Sequence, residues 1–278
     1  MYMVQALTDF SRLCIHTITT KPWSLEKALG MYEDAGVRGI SVWDMHLEDK
    51  TPSRLKQIIS GSDLEIVSYV RGGFLAHRNE SDRLRAIKSN LKHLDLAATV
   101  GAPLMVLVTG SDPKQSLEES RDQILMGIDA ILPYATDLGI RLGIEPLHPM
   151  YADTRSAINT IAQALDICCK IGSPFVGIVV DVYHVWWDPA LEESINLCGS
   201  EEKLFAFHIC DWKVPTTDLL NDRGIMGEGC IPIRKIRQMA ENAGFKGFLE
   251  VEIFSDHYWS IDQTIFLSKI LDAYLEYV

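Results

Sequence analysis

The sequence predicts a closed (β/α)8 barrel, and three observations support this fold class. Along the 278 residues, a short apolar run, a polar loop, a segment of helical period and a glycine recur eight times. That length suits one large α/β domain, since such barrels commonly need about 250 residues. Residues 18–22, after the first apolar run, contain no glycine, which disfavours an open doubly wound sheet with a phosphate loop. We expect one barrel domain over residues 1–278.

Eight apolar runs are predicted as the barrel strands. Most are rich in valine, isoleucine and phenylalanine, which are common in strands that a parallel sheet buries on both faces. The predicted strands are residues 13–18, 39–43, 65–70, 104–109, 141–145, 176–181, 204–210 and 248–254.

Helical segments connect these runs, and several of them end at a glycine. The clearest segments are residues 24–35, 83–100, 116–138, 154–171 and 233–243. The glycines that follow them can adopt a left-handed backbone at little cost, and they are Gly36, Gly101, Gly139, Gly172 and Gly244. Ser116, with Glu119 three residues later, predicts a capping box at the start of one helix.

Composition and charge narrow the class of protein. Hydrophobic residues make up 47% of the chain and charged residues 23%, and no stretch approaches the ~20 apolar residues of a membrane helix. The first residues lack a secretory signal, so the cytoplasm is the expected location, with the six cysteines reduced and mostly buried. A net charge of −12 makes nucleic acid a poor partner and does not disfavour a small carbohydrate. The sequence leaves open whether the chain forms a homo-oligomer.

Four successive predicted strands present residues that bind metal ions. Strand 5 ends in Glu145 and strand 6 in Asp181, while strand 7 contains His208 and strand 8 contains Glu252. The functional groups of such barrels lie at the carboxyl ends of the strands, so these four side chains are expected to meet there.

Alternation along each strand indicates which side chains point into the barrel. In strand 5, Leu142 and Ile144 point to the helix layer, so Glu145 points inward, and the same count turns the other three inward. Three carboxylates in a low-dielectric mouth repel each other, and a divalent metal is the simplest cation to neutralise them. Several oxygens with one imidazole suit Mn²⁺, or else Mg²⁺ or Co²⁺, better than a structural zinc.

Other polar residues near the strand ends are expected to line the substrate cavity. His16, Trp43 and Arg71 lie at or near the ends of strands 1 to 3, and His148 extends the loop after strand 5. His184, three residues after Asp181, lies where it could donate a hydrogen bond to a substrate hydroxyl.

Two further acids have open roles. Asp211 follows His208 by three residues and either orients that ligand or caps the following loop. Glu250 shares the inward direction of Glu252 one layer deeper, so it needs a partner or stays protonated.

Five segments carry a resemblance that covers nearly the whole chain. They are GIEPLHP, VVDVYH, FHICDW, DRGIMGEGCIP and GFLEVEIF. The chain resembles the sugar phosphate isomerase/epimerase group of the xylose-isomerase-like TIM barrels, a group related to ketose 3-epimerases, inosose-processing enzymes and endonuclease IV. The resemblance implies that Glu145, Asp181, His208 and Glu252 are metal ligands. It also implies that His184 and Arg223 contact the substrate.

This ligand set predicts a metal-dependent sugar isomerase or epimerase. A metal bound to neighbouring oxygens of a hydroxyketone acidifies the hydrogen between them and stabilises the enediolate. Glu145 and Glu252, on opposite sides of that carbon, would then act as general base and general acid.

Three rival functions share parts of this interpretation. A lyase or dehydratase acting on 3-keto-glycosides or inososes would use the same proton abstraction followed by β-elimination. A nuclease of the endonuclease IV type would need more histidines and a basic face, which disagrees with one histidine among the four ligand positions and with the charge of −12. A non-catalytic sugar-binding barrel would not need two acids placed for proton transfer.

Overall fold

The computed structural model describes residues 6–278, and its eight parallel barrel strands close in the order β1-β10-β7-β6-β5-β4-β3-β2. The first five residues, on which the prediction of no secretory signal rests, lie outside the described residues. The barrel strands are β1 (Leu13–His16), β2 (Gly39–Trp43), β3 (Glu65–Gly73), β4 (Leu104–Val108), β5 (Arg141–Ile144), β6 (Val176–Asp181), β7 (Leu204–Ile209) and β10 (Leu249–Val251). Two short strands, β8 (Asp211–Trp212) and β9 (Arg223–Gly224), pair antiparallel outside the barrel.

Helices surround the barrel and connect its strands. They are α1 (Leu25–Asp34), α2 (Pro52–Ile59), α3 (Glu80–Val100), α4 (Leu117–Asp137), α5 (Ile161–Ile171), α6 (Val182–Val185), α7 (Leu191–Ser200), α8 (Ile233–Asn242), α9 (Asp256–Trp259) and α10 (Gln263–Tyr277). Short 3-10 helices cover Asp44–His46 and Pro149–Tyr151. In the described part of the chain, no helix combines the length and the apolar character that a bilayer crossing requires.

Alternation along the strands divides the core into two layers. Leu13, Ile15 and Ile144 belong to the large apolar cluster between strands and helices. Val106 and Val179 belong to a smaller cluster inside the barrel. The outward direction predicted for Leu142 and Ile144 is therefore confirmed, since both belong to the cluster between strands and helices.

The glycines and the capping box that the sequence predicted at helix ends are present in the structure. The five predicted glycines all have positive φ, namely Gly36 (79°), Gly101 (77°), Gly139 (71°), Gly172 (67°) and Gly244 (96°). Ser116 and Glu119 form the predicted capping box at the start of α4. All six cysteines are free, and two of them, Cys169 and Cys230, are exposed.

One helix boundary predicted from the sequence is wrong. The segment 154–171 was expected to be helical throughout, but α5 begins only at Ile161, with Thr160 as its cap. The residues before it pair with the end of β4 instead: Gly110 donates to the Arg155 carbonyl at 2.8 Å, and Ala157 donates to the Gly110 carbonyl at 3.0 Å. Because of this pairing with a distant segment, the Arg155 carbonyl and the Ala157 amide have hydrogen-bond partners without forming a helix.

Candidate metal and active site

Four side chains converge at the carboxyl end of the barrel. Glu145, Asp181, His208 and Glu252 each offer a ligand atom, and these atoms all lie within 4.8 Å of one another. None of the four is more than 4% exposed. Metal–ligand bonds of about 2.0–2.2 Å place opposite ligand atoms up to about 4.4 Å apart, so the cluster has nearly the dimensions of one coordination sphere.

Two of these residues lie one step beyond the regular strands and are still fixed by strand hydrogen bonds. The Glu145 amide donates to the Leu107 carbonyl at 3.1 Å, and the Glu252 amide donates to the Ile209 carbonyl at 3.1 Å. The backbone of each glutamate is thereby held against its neighbouring strand, so each side chain starts from a rigid position.

The hydrogen bonding of the cluster fits a bound cation. Oε1 of Glu145 and both ring nitrogens of His208 are buried, and among the described residues they face opposite charges without good hydrogen-bond geometry, with Nε2 of His208 3.8 Å from Oε2 of Glu250. Nδ1 of His208 lies 3.2 Å from Oε1 of Glu145. Unpaired buried polar atoms are costly, and a metal ion between this nitrogen and this oxygen would give both of them a partner.

Arg223, which the resemblance implies contacts the substrate, lies against the ligand cluster. Its guanidinium is 3% exposed, and its Nη1 lies 2.9 Å from Oδ2 of Asp181 and 2.9 Å from Oε2 of Glu252. Tyr183 and Phe254 cover its two faces, with ring centroids 4.4 and 5.0 Å away. The protein thus supplies a cation of its own to two of the three carboxylates, and their crowding alone does not require a metal.

His184 connects to the same ion-pair cluster. Its Nε2 lies 3.2 Å from Nη2 of Arg223 and 3.6 Å from Oδ2 of Asp181, and the ring is 3% exposed. Burial and the neighbouring Arg223 hold the pKa of His184 well below its ordinary value, so the ring is neutral. A neutral ring can accept the Arg223 hydrogen bond, which places His184 beside the ligand cluster.

His16 supports Glu252 and is not an exposed pocket-lining residue. The ring is fully buried, with Nδ1 3.0 Å from Oε1 of Glu252 and Nε2 3.0 Å from Oε2 of Glu250. Burial and His208 lower the pKa of His16, but the carboxylates of Glu252 and Glu250 outweigh them and raise it. The carboxylates on both sides thus favour the protonated ring over the neutral one, whose Nδ1 would accept from Nε1 of Trp43 at 3.3 Å.

Glu250 has partners that the sequence did not reveal. Besides His16, its Oε2 accepts a hydrogen bond from Ser41 at 2.6 Å, and Ser68 donates to the Ser41 hydroxyl at 2.9 Å. Burial raises the pKa of Glu250, but His208, His16 and Ser41 outweigh burial and lower it, so this acid is ionised. The sequence predicted that Glu250 either has a partner or stays protonated; the partner is confirmed, and the protonated state is wrong. The sequence contained one sign of this partner, because Ser41 is a serine at an inward position of an apolar strand.

Asp211 caps a loop and has no contact with His208 among the described hydrogen bonds. Its Oδ2 accepts from the amides of Gly227 and Gly229, both at 2.9 Å, and its Oδ1 accepts from the amides of Trp212 at 2.8 Å and Ile231 at 3.0 Å. Of the two roles predicted for Asp211, orienting His208 or capping the following loop, these contacts show the second. The same loop contains Arg223, so Asp211 helps to hold the arginine in the site.

We expect Asp211→Asn to lower the free energy of unfolding by about 2–4 kcal/mol. The new amide group would face two backbone donors, and each donor left without an acceptor costs about 1–3 kcal/mol. Urea denaturation measures the change, with Asp129→Asn on the exposed face of α4 as the matched control. A loss no larger than that of the control would contradict this role.

The remaining predicted cavity residues lie around the mouth of the barrel. Trp43 is 7% exposed and packs edge to face on Phe254, with ring centroids 5.1 Å apart. His148 caps the 3-10 helix that follows β5 through Nδ1, and its ring lies 5.0 Å from that of Trp212. Arg71, near the end of β3, stacks over the Phe74 ring at 4.5 Å.

Comparisons with known proteins agree with this architecture. The family described as xylose isomerase-like TIM barrel matches residues 30–270. An inosose isomerase from Bacillus velezensis is 24% identical over 274 residues, which are 93% of this chain and 94% of the relative. A crystal structure of a protein from Sinorhizobium meliloti 1021 is 38% identical, with a TM-score of 0.93 and coverage of 96% of this chain and 98% of the other. The IolI protein, crystallised with a zinc atom, is 21% identical, with a TM-score of 0.84. The match covers 95% of this chain and 97% of the IolI chain.

Proposed function

We propose, for this chain that belongs to the xylose isomerase-like TIM barrel family, the function of a divalent-metal-dependent sugar isomerase or epimerase. In this proposal the enzyme removes a proton next to the carbonyl of a keto-sugar or related polyol. The observation that carries the proposal is the buried cluster of two glutamates, one aspartate and one histidine whose ligand atoms lie within 4.8 Å of one another. Similarity to an inosose isomerase at 24% identity supports the reaction class.

Glu145, Asp181, His208 and Glu252 would hold the ion. A divalent ion in such a site supplies Lewis-acid polarisation of a carbonyl oxygen and offsets the negative charge of an enediolate. Three carboxylates with one imidazole favour Mn²⁺, with Mg²⁺ and Co²⁺ as alternatives, by ligand type. The zinc atom in the crystal structure of the IolI protein supports a divalent ion in this fold.

The two glutamates are placed to exchange protons with the substrate. Glu145 follows β5 and Glu252 follows β10, and two strands, β6 and β7, separate them around the barrel. Side chains from such positions approach a bound carbon from different directions, which epimerisation at that carbon requires.

The protein keeps Glu252 ionised. Burial raises the pKa of this acid, but His16 first, and then Arg223 and His208, outweigh burial and hold the pKa well below its ordinary value. A carboxylate that is ionised at neutral pH can accept the substrate proton.

The test of the proposal is turnover in deuterated water by the protein reconstituted with Mn²⁺. We expect deuterium on the carbon next to the carbonyl, in an intact sugar of otherwise unchanged mass, because Glu145 and Glu252 exchange their protons with solvent. The β-elimination alternative would give an unsaturated or shortened product after the same exchange. Fully active enzyme that yields unlabelled product would contradict the two-glutamate scheme, since hydride transfer moves hydrogen between carbons without solvent label.

A further inference from the structure

The candidate active site is closed to solvent. The four proposed ligands are at most 4% exposed, and Arg223 and His184 beside them are buried as well. A sugar must touch the ligand cluster before its carbonyl can be polarised there, and buried atoms offer it no contact surface. A segment of the protein therefore has to move before a substrate reaches these side chains.

A loop between β8 and β9 is the segment that covers the barrel mouth. It comprises residues 213–222 and is here called the strap. Its two ends are joined, because Trp212 pairs with Arg223 in the antiparallel β8–β9 ribbon. The Asn221 carbonyl accepts a hydrogen bond from the Asp256 amide at 3.1 Å, which fixes this end of the strap to the segment after β10. The base of the strap is thus held by backbone pairing.

The tip of the strap contacts one side of the mouth through hydrogen bonds. The Leu219 carbonyl accepts from the Tyr151 hydroxyl and, at 3.4 Å, from the Tyr183 hydroxyl. The Tyr183 ring covers the guanidinium of Arg223 at 4.4 Å, and the Tyr151 ring lies edge-on to the His184 ring at 5.9 Å. The two tyrosines therefore connect the strap directly to the residues that border the ligand cluster.

The next residue of the tip contacts the other side of the mouth. Leu220 packs against the apolar cluster inside the barrel, which contains Trp43 and Phe254. Trp43 ends β2 and Phe254 follows β10, whereas Tyr151 and Tyr183 follow β5 and β6. The strand order places β2 and β10 on either side of β1, across the barrel from β5. Consecutive strap residues thus reach opposite sides, which places the tip across the opening.

Two hydroxyl groups and one apolar side chain hold the tip of the strap to the mouth. The side chains of Val214 and Leu219 are exposed, although both are apolar. Loops with exposed residues and few buried apolar contacts open locally at a much lower free energy than the domain unfolds. The strap can therefore open while the barrel stays folded.

We propose that the strap is a lid that must open before a sugar or a metal ion reaches the ligand cluster, and that Tyr151 and Tyr183 latch it closed through the Leu219 carbonyl. The closed lid excludes water while the substrate is deprotonated. The inference rests on the proposed function, since it assigns the entry route to that site. Each latch hydrogen bond joins neutral groups and changes the opening equilibrium by about 2- to 10-fold.

The first test measures access to His184 in the metal-free full chain with diethyl pyrocarbonate, which modifies neutral histidines. Nδ1 of His184 is buried and has no hydrogen-bond partner among the described residues, so the reagent reaches it only when the lid opens. His257 on α9 is exposed and serves as the reference. His46 is buried against Thr17 and Lys21 and reports opening elsewhere. We expect His184 to react at least about tenfold more slowly than His257.

Latch variants connect this access to the strap. We expect Tyr151→Phe to speed labelling of His184 by about 2- to 10-fold, because it removes one latch hydrogen bond and keeps the ring. Leu220→Ala should act in the same direction, and neither variant should change the two reference histidines. Tyr134→Phe, which removes a hydroxyl from the outer surface of α4, is the matched control. Thermal unfolding identifies a folding defect, and Tyr183→Phe is the second latch variant.

The second test measures exchange of Mn²⁺ by stopped flow with a fluorescent chelator. Tyr151→Phe should speed entry and release of the ion by the same factor and leave its Kd unchanged, because the ligands hold the ion in both lid positions. A tyrosine that only supports the ligands would change the Kd instead.

The outcomes separate the lid from the proposed function. His184 labelling as fast as that of His257 in the unmodified protein, labelling that no latch variant changes, or equal acceleration at His46 would overturn the lid. A latch effect on His184 in a protein that binds no Mn²⁺ would support the lid and contradict the proposed metal dependence. Deuterium incorporation by a protein whose His184 labelling ignores the latch would do the reverse.

Discussion

Glu252→Gln is expected to lower turnover by about 10²–10⁴-fold while retaining the fold and much of the metal. His16 lies 3.0 Å from Oε1 of Glu252 and Arg223 lies 2.9 Å from Oε2. A glutamine at this position keeps one oxygen, which can still accept from one of these two donors or bind the metal, while its amide group faces the other donor. It cannot accept the substrate proton, and proton transfer by a positioned side chain contributes about this factor. The measurements are the initial rate, the deuterium incorporation and the metal content of the reconstituted protein.

The control for this variant is Glu193→Gln, which makes the same change on the exposed surface of α7. The control should retain the full rate. A Glu252→Gln enzyme that works within about threefold of the unmodified protein would exclude Glu252 as the acid or base.

His208→Ala should lower the affinity for Mn²⁺ by more than about 100-fold, whereas His184→Ala should lower it by about 10–100-fold at most. Neither ring nitrogen of His208 has good hydrogen-bond geometry to a described residue, and Nδ1 lies 3.2 Å from Oε1 of Glu145, as expected of two ligands of one ion. His184 already bonds to Arg223 through Nε2. Loss of a residue that only orients a ligand costs about 10–100-fold, so loss of the ligand itself should cost more. Titration against a competing chelator gives both affinities, and equal losses would place His184 among the ligands.

The same titration should depend on pH in a defined direction. Burial lowers the pKa of His208, but Glu250, Glu145 and Glu252 outweigh burial and raise it to about 10. A histidine must lose its proton to bind a metal, so the apparent affinity of the unmodified protein should rise with pH up to that value. In His208→Ala the contribution of this group to the pH dependence should disappear.

Local patterns in the sequence were sufficient for the barrel and for the members of the ligand cluster. Successive side chains of a strand point to opposite faces of the sheet. The position of a residue along the strand therefore indicates whether its side chain points into the barrel. Glu145, Asp181, His208 and Glu252 could therefore be selected from inward parity at the ends of consecutive strands. The glycines after α1, α3, α4 and α5 could be recognised for a similar reason, since a positive φ is a local requirement.

The partners of these residues depended on the tertiary structure. His16 and Glu250 are 234 positions apart, and Arg223 and Asp181 are 42 apart, so no local period relates them. The sequence predicted Arg223 as a substrate contact and His16 as a cavity residue, and only the fold revealed that both lie against the carboxylate of Glu252. Closure of the barrel places β1 directly beside β10, and this closure joins the first and last strands into one hydrogen-bond network.

The sequence by itself determined the barrel and the four inward residues at the strand ends that could bind a metal, because periodicity and end-capping are properties of neighbouring residues. Only the tertiary structure decided which cations face those carboxylates and where α5 begins. Ion pairs and loop contacts depend on distances between segments far apart in the chain, and these distances are set when the barrel closes and the loops pack over it.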